Sequence, residues 1–196
     1  MSVPDATHAA PNPLNMDSKK LLVFSDSHGN VRNLKAVFNW ANDHIPPNDT
    51  IIAAAFLGDG ISDLEFASDE TGFYTDWKLV MGNNDFGIVM PETLAFDFAE
   101  HHFFMCHGHR YNLYSGFNFL INAAKNAGAD VVLYGHTHIP HYKIVNGVTF
   151  INPGSVGRPR GKIGASFVVI ECPDNKPLNV KFFEIGIQGK IKVVKI

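Results

Sequence analysis

Asp130-Val131-Val132-Leu133-Tyr134 runs into Gly135-His136-Thr137-His138, so an apolar stretch stops at glycine and then presents two imidazoles one residue apart. A short apolar run bounded by a turn signal reads as a strand buried on both faces. In extended chain, residues i and i+2 point to the same side, which makes the histidine pair a poor core element and a good pair of metal ligands. The N-terminal third repeats the device, with Leu21-Leu22-Val23-Phe24-Ser25 followed by Asp26-Ser27-His28-Gly29. The fold then turns on how many apolar strands end this way and whether their ends meet.

Around these two runs, apolar segments alternate with helical patterns, the sign of an α/β layer fold. Val31, Leu34, Val37, Phe38 and Ala41 recur at helical spacing over 30–44, and Pro46-Pro47 should end that helix. Residues 50–57 read as a second buried strand ending in Gly58-Asp59-Gly60, 61–67 as a short helix, and 78–81 as a strand running into Gly82-Asn83-Asn84-Asp85. Segments 94–98 and 103–106 read as a hairpin whose second strand ends in His107-Gly108-His109. Phe117, Leu120, Ile121 and Ala124 mark a helix closed by Gly128. Beyond His138, segments 142–145 and 148–151 flank Asn146-Gly147, the favoured two-residue hairpin turn. Segments 165–171, 179–184 and 190–195 add strands with no helix between them. The expected architecture is α/β: a two-sheet sandwich of mixed sheets flanked by helices, parallel towards the N-terminus and antiparallel towards the C-terminus. Residues 1–18, rich in Pro, Ala and Asn, read as a flexible or peripheral tail, and 19–196 as one domain.

The bulk numbers narrow the function classes. With 45% apolar and 18% charged residues and a net charge of −3, the chain has an ordinary globular composition. It has no basic footprint for bulk nucleic acid. Cys106 and Cys172 have no paired spacing, which suits a reducing compartment and excludes a thiolate zinc site. No apolar stretch is long enough to span a membrane and no secretory pattern opens the chain, so a cytoplasmic location is expected. Edge strands and loop aromatics leave a homodimer open.

Ligands of open α/β sheets sit outside the carboxyl ends of the strands. Here those ends carry Asp26 and His28, Asp59, Asn83, His107, and His136 with His138, each beside or near a glycine. Singly, each reads as well as a cap or a satisfied polar group; five such strand ends together read as a site. Imidazole, carboxylate and amide donors without thiolate suit Mn, Fe, Co, Ni or Zn better than Ca or Mg. In this order, Asp26-x-His28, Gly58-Asp59, Gly82-Asn83-x-Asp85, His107-Gly108-His109 and Gly135-His136-Thr137-His138 resemble the motifs of the calcineurin-like metallophosphoesterases. The narrower resemblance is to their small bacterial and archaeal YfcE-like phosphodiesterase branch. It runs from about Lys20 past Arg160 and includes Asn152-Pro153-Gly154-Ser155.

That resemblance implies the sandwich of the metallophosphoesterase type and two divalent transition-metal ions, manganese first, with Ni, Fe, Co and Zn as alternatives. It places Asp26, His28 and His138 on one ion, Asn83, His107 and His136 on the other, and Asp59 between them. Two such ions clamp an in-line displacement at phosphorus. The implied activity is a metal-dependent phosphoric ester hydrolase, a phosphodiesterase of small phosphate esters, using a metal-bridging hydroxide and no covalent intermediate. Asn84, Asp85 and His109 are the candidate catalytic residues, and Arg158 and Arg160 the candidate substrate-binding ones. The chain departs from the family at Asn84, where many members carry His and the nearer branch often Cys. An amide cannot be a general acid, so slower turnover and a preference for good leaving groups are expected. His109 is the candidate replacement, and Asp85 reads as a group that orients others. Two rival functions stand beside this one. One is a fold-sharing interaction scaffold with little or no catalysis, as in the retromer's small subunit. The other is a small-nucleotide pyrophosphatase or nuclease.

Overall fold

The structure, a computed structural model, describes residues 14, 18–45 and 52–196. Successive side chains of a strand face opposite sides, and in β1 (Lys19–Phe24) both sides are covered. Leu21 and Val23 enter one apolar cluster, whereas Leu22 and Phe24 enter another. The strand is therefore the middle of a layered molecule, which is why its sequence is a continuous apolar run.

From β1 the chain passes through α1 (Val31–His44), β2 (Ile52–Phe56), α2 (Ile61–Thr71), β3 (Asp76–Leu79), β4 (Thr93–Phe98) and β5 (His101–Cys106). It continues with α3 (Asn118–Ala127), β6 (Val131–Tyr134), β7 (His141–Val145), β8 (Val148–Asn152), β9 (Ser166–Cys172), β10 (Asn179–Ile185) and β11 (Ile191–Val194). One sheet has the order β11-β10-β9-β1-β2-β3 and the other β4-β5-β6-β8-β7. Within them β1, β2 and β3 are mutually parallel, as are β5, β6 and β8; the remaining pairings are antiparallel.

Between the sheets lie Leu21, Val23, Ala55, Phe103, Met105, Leu133, Ile151 and Val168. Outside the first sheet, α1 and α2 bury Leu34, Phe38 and Leu64 against Phe24, Phe56 and Phe167. Outside the second, α3 buries Leu120 and Ala124 against Val132, Tyr134 and Phe150. Each large side chain so buried stabilises the fold by about 2 kcal/mol. The α1 start is capped by Asn30, whose Oδ1 accepts from the Asn33 N–H at 3.1 Å, worth about 1 kcal/mol.

The expected two-sheet sandwich is the observed fold, with corrections of detail. Both sheets are mixed as expected, with β1–β3 parallel and β9–β11 antiparallel at the two ends of the chain, while between them β4 pairs antiparallel with β5 and β6 in parallel with β8. Helix α2 runs four residues past 67, because Ser68 stays buried and Gly72 ends it in the left-handed conformation. Strand β3 sits two residues earlier than expected, in register with Ala53–Phe56 of β2. His101 and His102, which lie between the two strand segments expected at 94–98 and 103–106, open β5 and pair with Asp130 and Asp97. Pro46, Pro47 and the start of the 50–57 segment lie outside the described residues, as does most of the 1–18 tail. The two described tail residues, Leu14 and Ser18, are buried, and Leu14 joins the α1-side core. Among the described residues no helix is long and apolar enough to cross a membrane.

Candidate metal centre

The ends of β1, β2, β5 and β6 meet. Asp26, His28 and His138 offer ligand atoms within 4.8 Å of one another, and so do Asp26, Asp59 and His107, with Asp26 common to both groups. Reaching this point bends the backbone hard: Asp26, His28, Asp59, His136 and His138 all have φ between 46° and 64°. That region costs a non-glycine residue about 1–2 kcal/mol, so surrounding structure must hold it. The Asp26 N–H donates to Gly58 O at 3.0 Å and the His28 N–H to Asp59 O at 3.1 Å. Asp26 O in turn accepts from Ser155 Oγ at 2.7 Å and from the Gly157 N–H at 3.0 Å. The glycines give the room: a Cβ on Gly82 would stand 2.1 Å from Asp59 Oδ1, and one on Gly135 2.2 Å from Ser25 Oγ.

The histidine tautomers are fixed by what their far nitrogens touch. His107 Nδ1 donates to the Leu57 carbonyl at 2.7 Å, and His138 Nδ1 donates to the Arg158 carbonyl at 2.6 Å. A carbonyl can only accept, so in the neutral rings both Nε2 atoms carry lone pairs. Each of these lone pairs faces a carboxylate oxygen. His138 Nε2 is 3.1 Å from Asp26 Oδ1 and 3.2 Å from His28 Nε2. His107 Nε2 is 3.1 Å from Asn83 Oδ1 and 3.4 Å from Asp59 Oδ2. Asp26 is fully buried, and its Oδ1 accepts no hydrogen bond among the described residues. A buried anionic oxygen with that surrounding is costly unless a cation lies beside it. The donor set therefore fits divalent cations, with backbone carbonyls orienting the imidazoles from behind.

The charges follow the same geometry. Burial alone would raise the Asp59 pKa, but the His107 imidazole and the hydrogen bonds from Asn84 hold it well below the usual carboxylate range. Burial works against the charged form of His107 too, yet the facing Asp59 and Asp26 carboxylates raise its pKa. For His28 and His136 burial outweighs the pull of the same two carboxylates, and their pKa values are lowered. Imidazole that stays neutral is the ligand form.

The remaining sequence candidates are distributed around this cluster. His136 lies with its ring 5.1 Å from that of His107, and its N–H donates to Asp26 Oδ2 at 3.2 Å. Asn84 donates twice to Asp59, from its backbone N–H to Oδ1 at 2.7 Å and from Nδ2 to Oδ2 at 2.6 Å. Asp85 is buried, and its carboxylate accepts from the N–H groups of Asp59, Gly60, Ile61 and Gly82 at 2.7–2.9 Å. It thus ties the start of α2 to the 82–85 turn, a positioning arrangement at the wall of the cavity over the cluster. The ring of His109 is 5.4 Å from that of His107, and its Nδ1 is buried with no hydrogen bond among the described residues. Arg158 walls the cavity over the cluster together with His28, Asp59 and Asn84, whereas Arg160 is exposed and is not among those walls.

Two supporting roles went unread in the sequence. Asp63 accepts from Ser27 Oγ at 2.6 Å and from the Gly29 N–H at 2.8 Å, fixing the turn that carries His28. Asn152 Nδ2 donates to Gly135 O at 2.8 Å and Thr137 Oγ1 at 3.0 Å, bracing the turn of the histidine pair. The only local signal for Asp63 is an acid in the first turn of a helix.

A family model described as the calcineurin-like phosphoesterase superfamily domain matches residues 20–175. The chain belongs to this superfamily. Phosphoric ester hydrolysis on divalent metals is accordingly its class of chemistry. The chain is 34% identical over 144 residues to a probable metallophosphoesterase of Mycoplasma pneumoniae, covering 72% of this chain and 81% of the relative. It is 27% identical over 149 residues to a phosphodiesterase of Methanocaldococcus jannaschii, covering 69% and 82%. The crystal structure of a conserved Streptococcus pneumoniae TIGR4 protein, described as a predicted phosphoesterase, superposes with a TM-score of 0.70 at 25% identity. That superposition covers 92% of this chain and 99% of the other. Vps29 of Entamoeba histolytica, solved in complex with zinc, also gives 0.70, at 19% identity over 90% and 98%, a likeness of fold.

Proposed function

We propose that this calcineurin-like phosphoesterase is a phosphodiesterase with a two-cation centre, carried by one domain over 19–196. Asp26, His28 and His138 would hold one cation, Asn83, His107 and His136 the other, and Asp59 would lie between. The observation that carries this is the buried Asp26 Oδ1, which faces the lone pair of His138 Nε2 at 3.1 Å. When bound, divalent cations of the Mn, Ni, Fe, Co or Zn type, manganese first, supply Lewis acidity to a phosphoryl oxygen and make water a nucleophile near neutral pH. In the reaction, water's oxygen bonds to phosphorus and the bond to one ester oxygen breaks. One proton of that water ends on the departing alcohol, and no side chain becomes esterified.

The chain's own residues bind and orient. Asp59 is held by Asn84 on one side and by its own N–H to Asp85 on the other. Arg158, at the cavity wall, offers a cation to an anionic phosphoryl group. Asn84 has no proton to give at neutral pH, so leaving groups that need little protonation are turned over best. Asn84→His should raise activity most on esters with poor leaving groups; an equal gain on good and poor ones would sink that assignment.

The test of the whole reading is hydrolysis of bis-p-nitrophenyl phosphate by the Mn²⁺-loaded protein, compared with Asp59→Asn. Metal-dependent turnover in the wild type that vanishes in the variant supports it. Metal uptake with no turnover of any mono- or diester promotes the scaffold reading, which the exposed Phe86 and Val89 beside the site favour.

A further inference from the structure

Two cavities meet over the strand-end carboxylates. The first, about 310 Å³, is polar, with His28, Asp59, Asn84 and Arg158 among its walls. The second, about 530 Å³, opens beside it between α2 and the 84–90 loop, over the edge strand β3. Ser62 and Ile88 are walls of both, so the two spaces adjoin.

Their chemistry differs. Leu64, Trp77, Leu79, Ile88 and Met90 give the second cavity an apolar lining, and its charged walls, Glu65 and Asp69, are both acidic. The back wall is rigid: the Trp77 indole packs edge-on against Phe24 at 6.0 Å and Phe73 at 5.9 Å. At the mouth, Tyr74 is pinned through its O–H, which donates to Asp69 Oδ1 at 3.0 Å. Apolar lining in a preformed cleft rewards an apolar guest, and acidic walls repel an anionic one.

We propose that this second cavity is the subsite for the organic substituent of the phosphate ester, and that the substituent is apolar, of aryl size, and carries no negative charge. The inference rests on the phosphodiesterase reading for the position of the phosphoryl group. With phosphorus over Asp59, the substituent that leaves the polar cavity past Ser62 and Ile88 enters this apolar space. A substituent directed towards Arg158 meets an exposed cation. The cleft thereby sets specificity through the part of the substrate that does not react, and it disfavours esters with a second phosphate or a carboxylate.

The test is isothermal titration of the Mn²⁺-loaded protein with phenylphosphonate and methylphosphonate, beside hydrolysis of bis-p-nitrophenyl phosphate. Phenylphosphonate should bind at least about tenfold more tightly than methylphosphonate, the scale of apolar pocket discrimination. Met90→Gln and Leu79→Gln should each cut that ratio to under about threefold. Phe66→Ala, exposed on α2 and not among the cavity walls, should preserve it. 4-Carboxyphenylphosphonate should bind more weakly than phenylphosphonate. Equal affinities in the wild type, or a preference untouched by both cleft variants, would overturn the subsite. Preference for phenyl without any diester hydrolysis keeps the subsite and removes the phosphodiesterase reading. Hydrolysis without a phenyl preference does the opposite.

Discussion

The chain bends into the left-handed region in two kinds of place, and they use different residues. Away from the site the bend falls on Asn112, Asn146 and Asn175, exposed residues of the type that tolerates it, and on Ala99 and Gln188. At the strand ends it falls on Asp26, His28, Asp59, His136 and His138, which are buried or half-buried. A turn of the first kind is specified by its own few residues, as Asn146-Gly147 joins β7 to β8. A bend of the second kind is specified from a distance, by Gly58 O, Ser155 Oγ and the carboxylate of Asp85. Strain kept at the expense of stability, and directed at one point, marks the functional edge of the molecule.

That contrast can be broken by substitution. Asp59→Asn should reduce metal-dependent diester hydrolysis by more than about 100-fold, beyond the loss typical of a supporting residue, with circular dichroism showing the fold retained. Asp85→Asn should lower activity about 10- to 100-fold, because all four backbone N–H partners lose a charged acceptor and two of them face an NH2 group instead of an oxygen. Gly82→Ala should destabilise by about 1–3 kcal/mol and impair metal uptake, since its Cβ would collide with Asp59 Oδ1. Gly147→Ala should cost only about 1 kcal/mol in denaturant unfolding and leave hydrolysis unchanged, since nothing lies within 4 Å of the added Cβ. Equal effects of Gly82→Ala and Gly147→Ala on metal uptake would erase the distinction between the two kinds of bend.

The same contrast explains what could be read from the sequence. Continuous apolar runs ending in Gly with Asp or His announced the buried strands and their shared edge, because burial on both faces removes any polar alternation. The Asn146-Gly147 hairpin was legible for the local reason given above. Helix α2 beyond residue 67 was not, since Ser68, Asp69 and Glu70 break the apolar pattern while tertiary packing keeps the helix going. The role of Asp85 was only partly legible: its type and place suggested an orienting group, but its four N–H partners come from two separate segments. The bracing roles of Asp63 and Asn152 were not legible for the same reason, since each supports a turn far away in sequence. The apolar cleft is formed by α2, β3 and the 84–90 loop together, so no single segment carries its signature.

The central claim is that the strained strand ends exist to hold cations between acceptors that otherwise face one another. Equilibrium dialysis against Mn²⁺ followed by elemental analysis measures this directly. The account predicts about two equivalents per chain in the wild type, with His138→Ala losing about one of them while folding as the wild type does. No bound metal in the wild type, or a metal count that His138→Ala leaves unchanged, would contradict it.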